Sequence, residues 1–327
     1  MAGPDLSVNA APSSTVHAEE IRAIPVRHPG RWITAVLVLL FVVWVARLFA
    51  LSPNIDWDAV REYLAFSTIL SGLRMTIVFS IVAQLVGVVL GVALATMRMS
   101  KNPVLSAVSW GYIWLFRGTP ALLQIIFWFN IALVLPTLWI GVPFTDIGFT
   151  VRTNVLITTF VAGVLGLGLN EGAYMAEIVR GGIQSVDQGQ TEAAQALGMS
   201  RGLTMRRIVL PQAMRAIIPP TGNEFIAMLK SSSLVSVIAG AELLTEAQNI
   251  YSRNYLTIEL LIVASIWYLL LTTIATIGQS YVERYFARGA TREPPPTAFQ
   301  RLRRALVRPR SGTSSSPGPK PPGKEAR

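Results

Sequence analysis

Cysteine is absent from the 327 residues, which excludes disulfides and thiolate metal sites. Histidine is nearly absent: His17 and His28 both fall near the N-terminus, so a buried imidazole catalyst or ligand is not expected. Charge is scarce as well. Only 14% of residues are charged against 52% hydrophobic, and the mean hydropathy is +0.49, whereas soluble chains carry about a quarter charged residues. No GxxxxGK[ST] occurs anywhere, so this chain does not cradle nucleotide phosphates in a P-loop. An intramembrane enzyme is disfavoured because no Ser/His, metal-ligand or paired-Asp constellation falls at membrane depth. There is also no internal repeat of the kind that marks many secondary carriers.

What is present is a set of long apolar runs, and uncharged runs of about 18 residues or more read as membrane spans. Residues 75–97 and 260–277 are two such runs, and residues 118–144 carry no charge at all, with Pro136 expected to end their helix. Residues 32–51 are interrupted only by Arg47, close enough to an end to reach water by snorkelling. A fifth run, 154–169, extends to about residue 178 through a Gly/Ala-rich continuation. The sixth, 216–241, contains Pro219, Pro220, Gly222, Glu224 and Lys230 and is expected to be a broken helix, a form that persists only where protein or a wet cavity surrounds it. The fold class is therefore an all-α membrane protein, a polytopic bundle of about six transmembrane helices.

Charge placement orients the bundle. The segments 52–69, 142–153 and 246–257 hold one basic residue each, whereas eleven Lys/Arg against two acids follow from Arg284 onward. The positive-inside rule places both termini and the loop 187–211 in the cytoplasm of a multi-pass membrane protein. Residues 1–31 and 289–327 read as disordered tails. The net charge of +10 sits mostly in the second, but no aromatics interleave its charges as in single-strand binders, so nucleic acid is not an expected partner.

The loop 187–211, DQGQTEAAQALGMSRGLTMRRIVLP, is polar and punctuated. Asp187 and Gln190 have the spacing of a capping box, Gly198 is placed as a left-handed stop, and Ser200 is placed to cap a second helix ending at Leu210. Small residues at Ala193, Ala194 and Ala196 allow close approach of a partner, and Glu192 offers it a charged handle. The loop is either a docking element or an amphipathic connector lying on the membrane surface.

The register of Glu192, Ala193, Ala194, Gly198, Ile208 and Pro211 resembles the EAA signature of bacterial ABC-importer permeases, which rest on a separate ATPase. Arg117-Gly118-Thr119-Pro120, Glu171-Gly172-Ala173-Tyr174, Pro220-Thr221-Gly222-Asn223-Glu224 and Lys230-Ser231-Ser232-Ser233-Leu234 are similar to the polar amino-acid branch, the histidine/glutamine-permease type, over residues 68–288. The chain differs in its extra first span, its long tails and Ser231-Ser232, where that branch carries Asp-Thr. The resemblance implies a five-helix type I permease core preceded by one N-terminal span. It also implies ABC ATPase subunits that bind the ATP, no cofactor on this chain, an extracytoplasmic amino-acid-binding protein and a second permease subunit, identical or related. Its implied function is import of polar amino acids by alternating access. The alternative from another class is an ion-gradient-driven secondary amino-acid transporter.

Ionisable groups at membrane depth mark pathways or paired structural sites. A zwitterion needs a partner for each charge. Thr119 with Pro120 reads as a helix start whose free N–H groups, beside Arg117, suit a carboxylate. Asn223 and Glu224 suit the ammonium, and Glu171 is a further pathway candidate. The opposing reading pairs Arg117 with Glu171 or Glu177 between helices.

Overall fold

A computed structural model describes residues 29–141 and 147–286. The two expected tails lie outside them, apart from residues 29–31, which belong to the first helix. The chain divides into two units, Met1–Ile55 and Asp56–Arg327. The first contains α1 (Pro29–Ala50), whose apolar window Ile33–Ala50 is exposed along its whole length.

The second unit runs α2 (Trp57–Leu64), α3 (Ser67–Arg98), α4 (Pro103–Gly118), α5 (Ala121–Phe129), a hairpin of β1 (Thr137–Gly141) and β2 (Gly148–Arg152), and α6 (Thr153–Leu156). It continues with α7 (Thr159–Gln184), α8 (Gln188–Ala196), α9 (Arg201–Thr204), α10 (Leu210–Ser231), α11 (Leu243–Asn254) and α12 (Thr257–Phe286). Local signals start several of these helices. Asn102 caps α4 by accepting from Val104 N at 2.9 Å, with Pro103 in the first turn, and Thr158 Oγ1 accepts from Val161 N at the start of α7.

The bundle is built around α7, which packs against α3, α4, α5 and α10. In lipid the apolar transfer term no longer drives helix association, so close packing of small residues carries it. Two glycines show how close. A Cβ at Gly87 would stand 2.3 Å from Glu171 Cγ, and one at Gly91 would stand 2.4 Å from Met175 Cβ. Met175 sits in a cluster with Ala95, Val179, Ala213 and Ile217, and a separate core holds Phe79, Ala83, Ile125, Ala162, Leu167 and Val235. A second cluster, Val60, Ile69, Leu243, Leu260 and Val263, ties α2, α11 and α12 to the start of α3.

Three described helices, α1, α3 and α12, are individually long and apolar enough to cross a membrane. At 26 residues α7 is about 39 Å long, but Asn170 and Glu171 interrupt its apolar run. The stretch 118–144, expected as one span, is not a single helix: Gly118 ends α4, α5 covers only Ala121–Phe129, and a 3₁₀ turn, Ile131–Leu133, and β1 follow it. Pro136 does not end a helix. Its carbonyl accepts from Thr153 N at 3.0 Å and closes the base of the hairpin.

The expected break at Pro219, Pro220 and Gly222 does not occur, because all three lie inside α10. This helix is continuous with α9 through a π-helical turn, Met205–Val209. It gives way to a 3₁₀ helix, Ser232–Ile238, only after Ser231. Ala239 then takes a left-handed conformation (φ 54°) and the direction changes by 46°. Buried Glu242 caps α11, its Oε1 accepting from Thr245 N at 2.7 Å and its Oε2 from Leu244 N at 2.9 Å. Tyr268 Oη donates to the same carboxylate at 2.7 Å.

Candidate functional site

The loop between α7 and α10 folds as its punctuation requires. Asp187 Oδ1 accepts from Gly189 N at 2.8 Å and starts α8. The reciprocal half of the capping box is replaced: Gln190 Oε1 accepts from Gln212 Nε2 at 3.5 Å, tying α8 to the base of α10. At the other end Gly198 N donates to Gln195 O at 2.9 Å and Met199 N to Ala194 O at 3.0 Å, the double bond pattern of a Schellman stop. Gly198 has φ +77°, so glycine is the residue this stop needs.

The faces of α8 separate cleanly. Ala194 is buried, whereas Glu192, Ala193 and Gly198 are exposed. Beneath the helix lies a groove of about 510 Å³ lined in part by Gln184, Gln188, Thr191, Arg201 and Thr204. Ser200 stands at the N-cap position of α9 without a side-chain cap bond. The expected second helix does not stop at Leu210, because the π turn leads straight into α10, with half-buried Ile208 in that turn and exposed Pro211 in the first turn of α10. Sequence reasoning passed over Leu197, which is 83% exposed at the end of α8. A large apolar side chain inside a polar loop was the available signal.

The second set of candidates lies within the bundle. The α4–α5 joint is braced from two sides. Gln124 Nε2 donates to Phe116 O, Thr119 O and Thr119 Oγ1 at 3.0, 3.1 and 2.9 Å, and Asn170 Nδ2 donates to Phe116 O at 2.7 Å. Thr119, expected to cap α5 with Pro120 in the first turn, does not do so. Its hydroxyl donates back to Leu115 O at 2.9 Å, and Pro120 takes the cap position.

Arg117 pairs with neither Glu171 nor Glu177. Its guanidinium lies over the Tyr174 ring, 5.2 Å from the centroid. Glu177 instead binds Arg180, with Arg180 Nη2 at 2.5 Å and Nε at 3.2 Å from Glu177 Oε2. These residues, with Trp110 and Trp114, line an open groove of about 590 Å³. Glu171 is 4% exposed and accepts from Gln84 Nε2 at 3.2 Å. Glu224, half-buried on α10, lies within electrostatic range of both Arg117 and Glu171 but forms an ion pair with neither. Asn223 turns the other way, accepting from Gln279 Nε2 at 3.1 Å on α12. The bundle therefore gathers Arg117, Glu171 and Glu224 from three helices and leaves Asn223 and the Thr119 hydroxyl in structural contacts. Gln84, Asn170, Gln124 and Tyr174 were not singled out individually, although uncharged polar residues inside apolar runs mark such bracing.

The arrangement offers charges of both signs within a bundle, a braced break between α4 and α5, and an exposed loop helix joined to a long rod. It suits passage of a polar solute coupled to an external motor. The comparisons agree. Residues 87–288 match the family model described as "Binding-protein-dependent transport system inner membrane component". The arginine transport system permease protein ArgU of Corynebacterium glutamicum is 44% identical over 281 residues, 86% of this chain and 87% of the relative. The nopaline transport system permease protein NocM of Agrobacterium fabrum is 37% identical, covering 65% of this chain and 85% of NocM. Among solved structures, the crystal structure of an amino acid ABC transporter with histidines shares 36% identity at a TM-score of 0.61, covering 71% of this chain and 99% of that one. The MetNI methionine ABC transporter, 15% identical at a TM-score of 0.55, shares the fold. The transport partners of such systems are thus the binding protein and the ATPase, and this chain is the multi-pass membrane component: it belongs to the family of binding-protein-dependent transport system inner membrane components.

Proposed function

We infer that this permease imports polar amino acids, driven by ATP hydrolysed on separate ATPase subunits that dock on α8. An extracytoplasmic amino-acid-binding protein delivers the solute and a second permease subunit, identical or related, completes the pore. Both termini lie in the cytoplasm, on the side of α8, as the basic-residue bias indicates. ATP binds the partner, and this chain contributes geometry rather than covalent chemistry.

The observation that carries the amino-acid reading is the convergence of Arg117 with Glu224 and Glu171, since a zwitterion needs a cationic and an anionic contact at once. Relatives named for arginine, nopaline and glutamine transport support it. Arg117 faces the α-carboxylate beside the break between α4 and α5, and Glu224 faces the ammonium. On the inner side, Glu192, Ala193, Ala194 and Gly198 form the docked helix, while Ile208 and Pro211 join it to the rod. Closure of the ATPase dimer moves α8, and alternating access follows from a shift between two packings of the bundle.

The test is uptake into vesicles containing the permease, its ATPase and its binding protein, across a panel of amino acids. Arg117→Ala and Glu224→Gln are each expected to keep the complex assembled and basal ATP hydrolysis intact, and to raise the substrate concentration for half-maximal stimulation about tenfold or more, equivalent to about 1.4 kcal/mol. Unchanged concentration dependence in both variants refutes the pathway assignment. Uptake of sugars or inorganic ions in place of amino acids refutes the substrate class.

A further inference from the structure

The β1–β2 hairpin belongs to neither the polar groove nor the inner loop, and its side chains sort by face. The register pairs Leu138 with Val151 and Ile140 with Phe149, and alternation along a strand sets these four on one face. The opposite face carries Thr137, Trp139, Thr150 and Arg152. The apolar face is open: Ile140 is 42% and Phe149 62% exposed. Exposure continues along the chain on both sides, with Leu133 at 82%, Val134 at 70% and Val155 at 66%. Leu123 and Phe127 of the preceding α5 are exposed as well. A two-stranded hairpin is marginal in water by itself.

We propose that this hairpin rests on the phospholipid surface, its apolar face in the boundary between headgroups and acyl chains. Three observations select lipid as the occupant. The face, Leu138, Ile140, Phe149 and Val151, carries no charged or hydrogen-bonding side chain. The exposed apolar residues Leu133, Val134 and Val155 flank it along the chain on both sides. The opposite face presents Trp139 and Arg152, residue types suited to the headgroup level. Depth is limited by the strand edges, because unpaired N–H and C=O groups are not tolerated in hydrocarbon. The proposal does not depend on which solute is carried.

The absence of cysteine makes the test clean. Phe149→Cys, Ile140→Cys and Thr150→Cys are made singly in the full-length permease, labelled with an environment-sensitive fluorophore, and placed with the ATPase in lipid nanodiscs, where both faces are wet. Positions 149 and 140 are expected to emit to the blue and to be quenched several-fold more by nitroxide-bearing lipid than position 150, which aqueous iodide should quench instead. The proposal is overturned if iodide reaches 149 and 140 as readily as 150. It is equally overturned if those positions are shielded without lipid quenching, or only once a binding protein is added. Reading 149 and 140 separately keeps the test decisive should one substitution disturb the hairpin.

Discussion

Gly198 holds a left-handed backbone (φ +77°) with nothing within 4 Å of where a Cβ would stand, so conformation rather than space selects glycine there. Forcing a β-branched residue into that region costs about 1–2 kcal/mol, a factor of roughly 5–30 in an equilibrium. Gly198→Val is therefore expected to leave the amount of permease in the membrane unchanged while lowering ATP-driven uptake by about that factor. Immunoblotting alongside vesicle uptake checks it, and wild-type uptake would remove Gly198 from the coupling joint. Arg117 invites a second substitution. Lysine keeps the charge but loses the planar group that lies over Tyr174, so Arg117→Lys should recover only part of the substrate response lost in Arg117→Ala. The residue scale also shows where sequence reading works. Asp187 and Gly198 were legible because caps and stops are set by neighbours a few positions away. Thr119 was not, because Gln124, one turn into the next helix, takes its hydroxyl and its carbonyl.

Among the elements, the contact of α3 with α7 bears the most weight. Gly87 and Gly91 stand four apart on one face of α3, a spacing that favours close helix packing, and α7 presses Glu171 and Met175 against them. Gly91→Leu should destabilise the purified permease by about 1–3 kcal/mol through overpacking, read as a fall of several degrees in Tm by intrinsic fluorescence in detergent. Gly111→Leu on α4 meets nothing within 4 Å and should change Tm little; equal falls in both would contradict this packing. The paired prolines misled for an instructive reason. A proline inside a helix costs about 3 kcal/mol in water, but in a membrane bundle neighbouring helices, Ser/Thr side chains and local adjustments re-satisfy the freed groups, and Pro219 and Pro220 stay inside α10. The helix loosens instead at three serines, where Ser232 and Ser233 hydroxyls bond back to Leu229 O and Lys230 O at 2.9 and 2.7 Å. The hairpin escaped notice because residues 118–144 read as one apolar run, and periodicity alone does not separate a buried helix from a short apolar strand.

For the whole molecule, the question is how an inner-face event reaches the middle of the bundle. Composition was sufficient for class because the bilayer imposes long apolar runs on any chain that crosses it. The approach of Arg117, Glu171 and Glu224 depends on how three distant helices cross, which only the fold supplies. Exposed Leu197 beside Glu192 is the expected anchor for the ATPase, since a buried apolar residue at the centre of an interface carries most of its energy. Leu197→Asp should reduce co-purification of the ATPase at least tenfold while leaving permease abundance unchanged; full recovery of the ATPase would place docking elsewhere.

From Arg201 to Ser231 the backbone runs as one unbroken helical beam, with the π turn as its only irregularity. From Arg201 to Glu224 that beam measures about 35 Å at the ordinary helical rise. Pivoting it by about 5° at the inner end sweeps the Glu224 carboxylate sideways by about 3 Å, the width of one hydrogen bond. A stroke that small at the cytoplasmic face is therefore enough to make or release a contact with a passing ammonium.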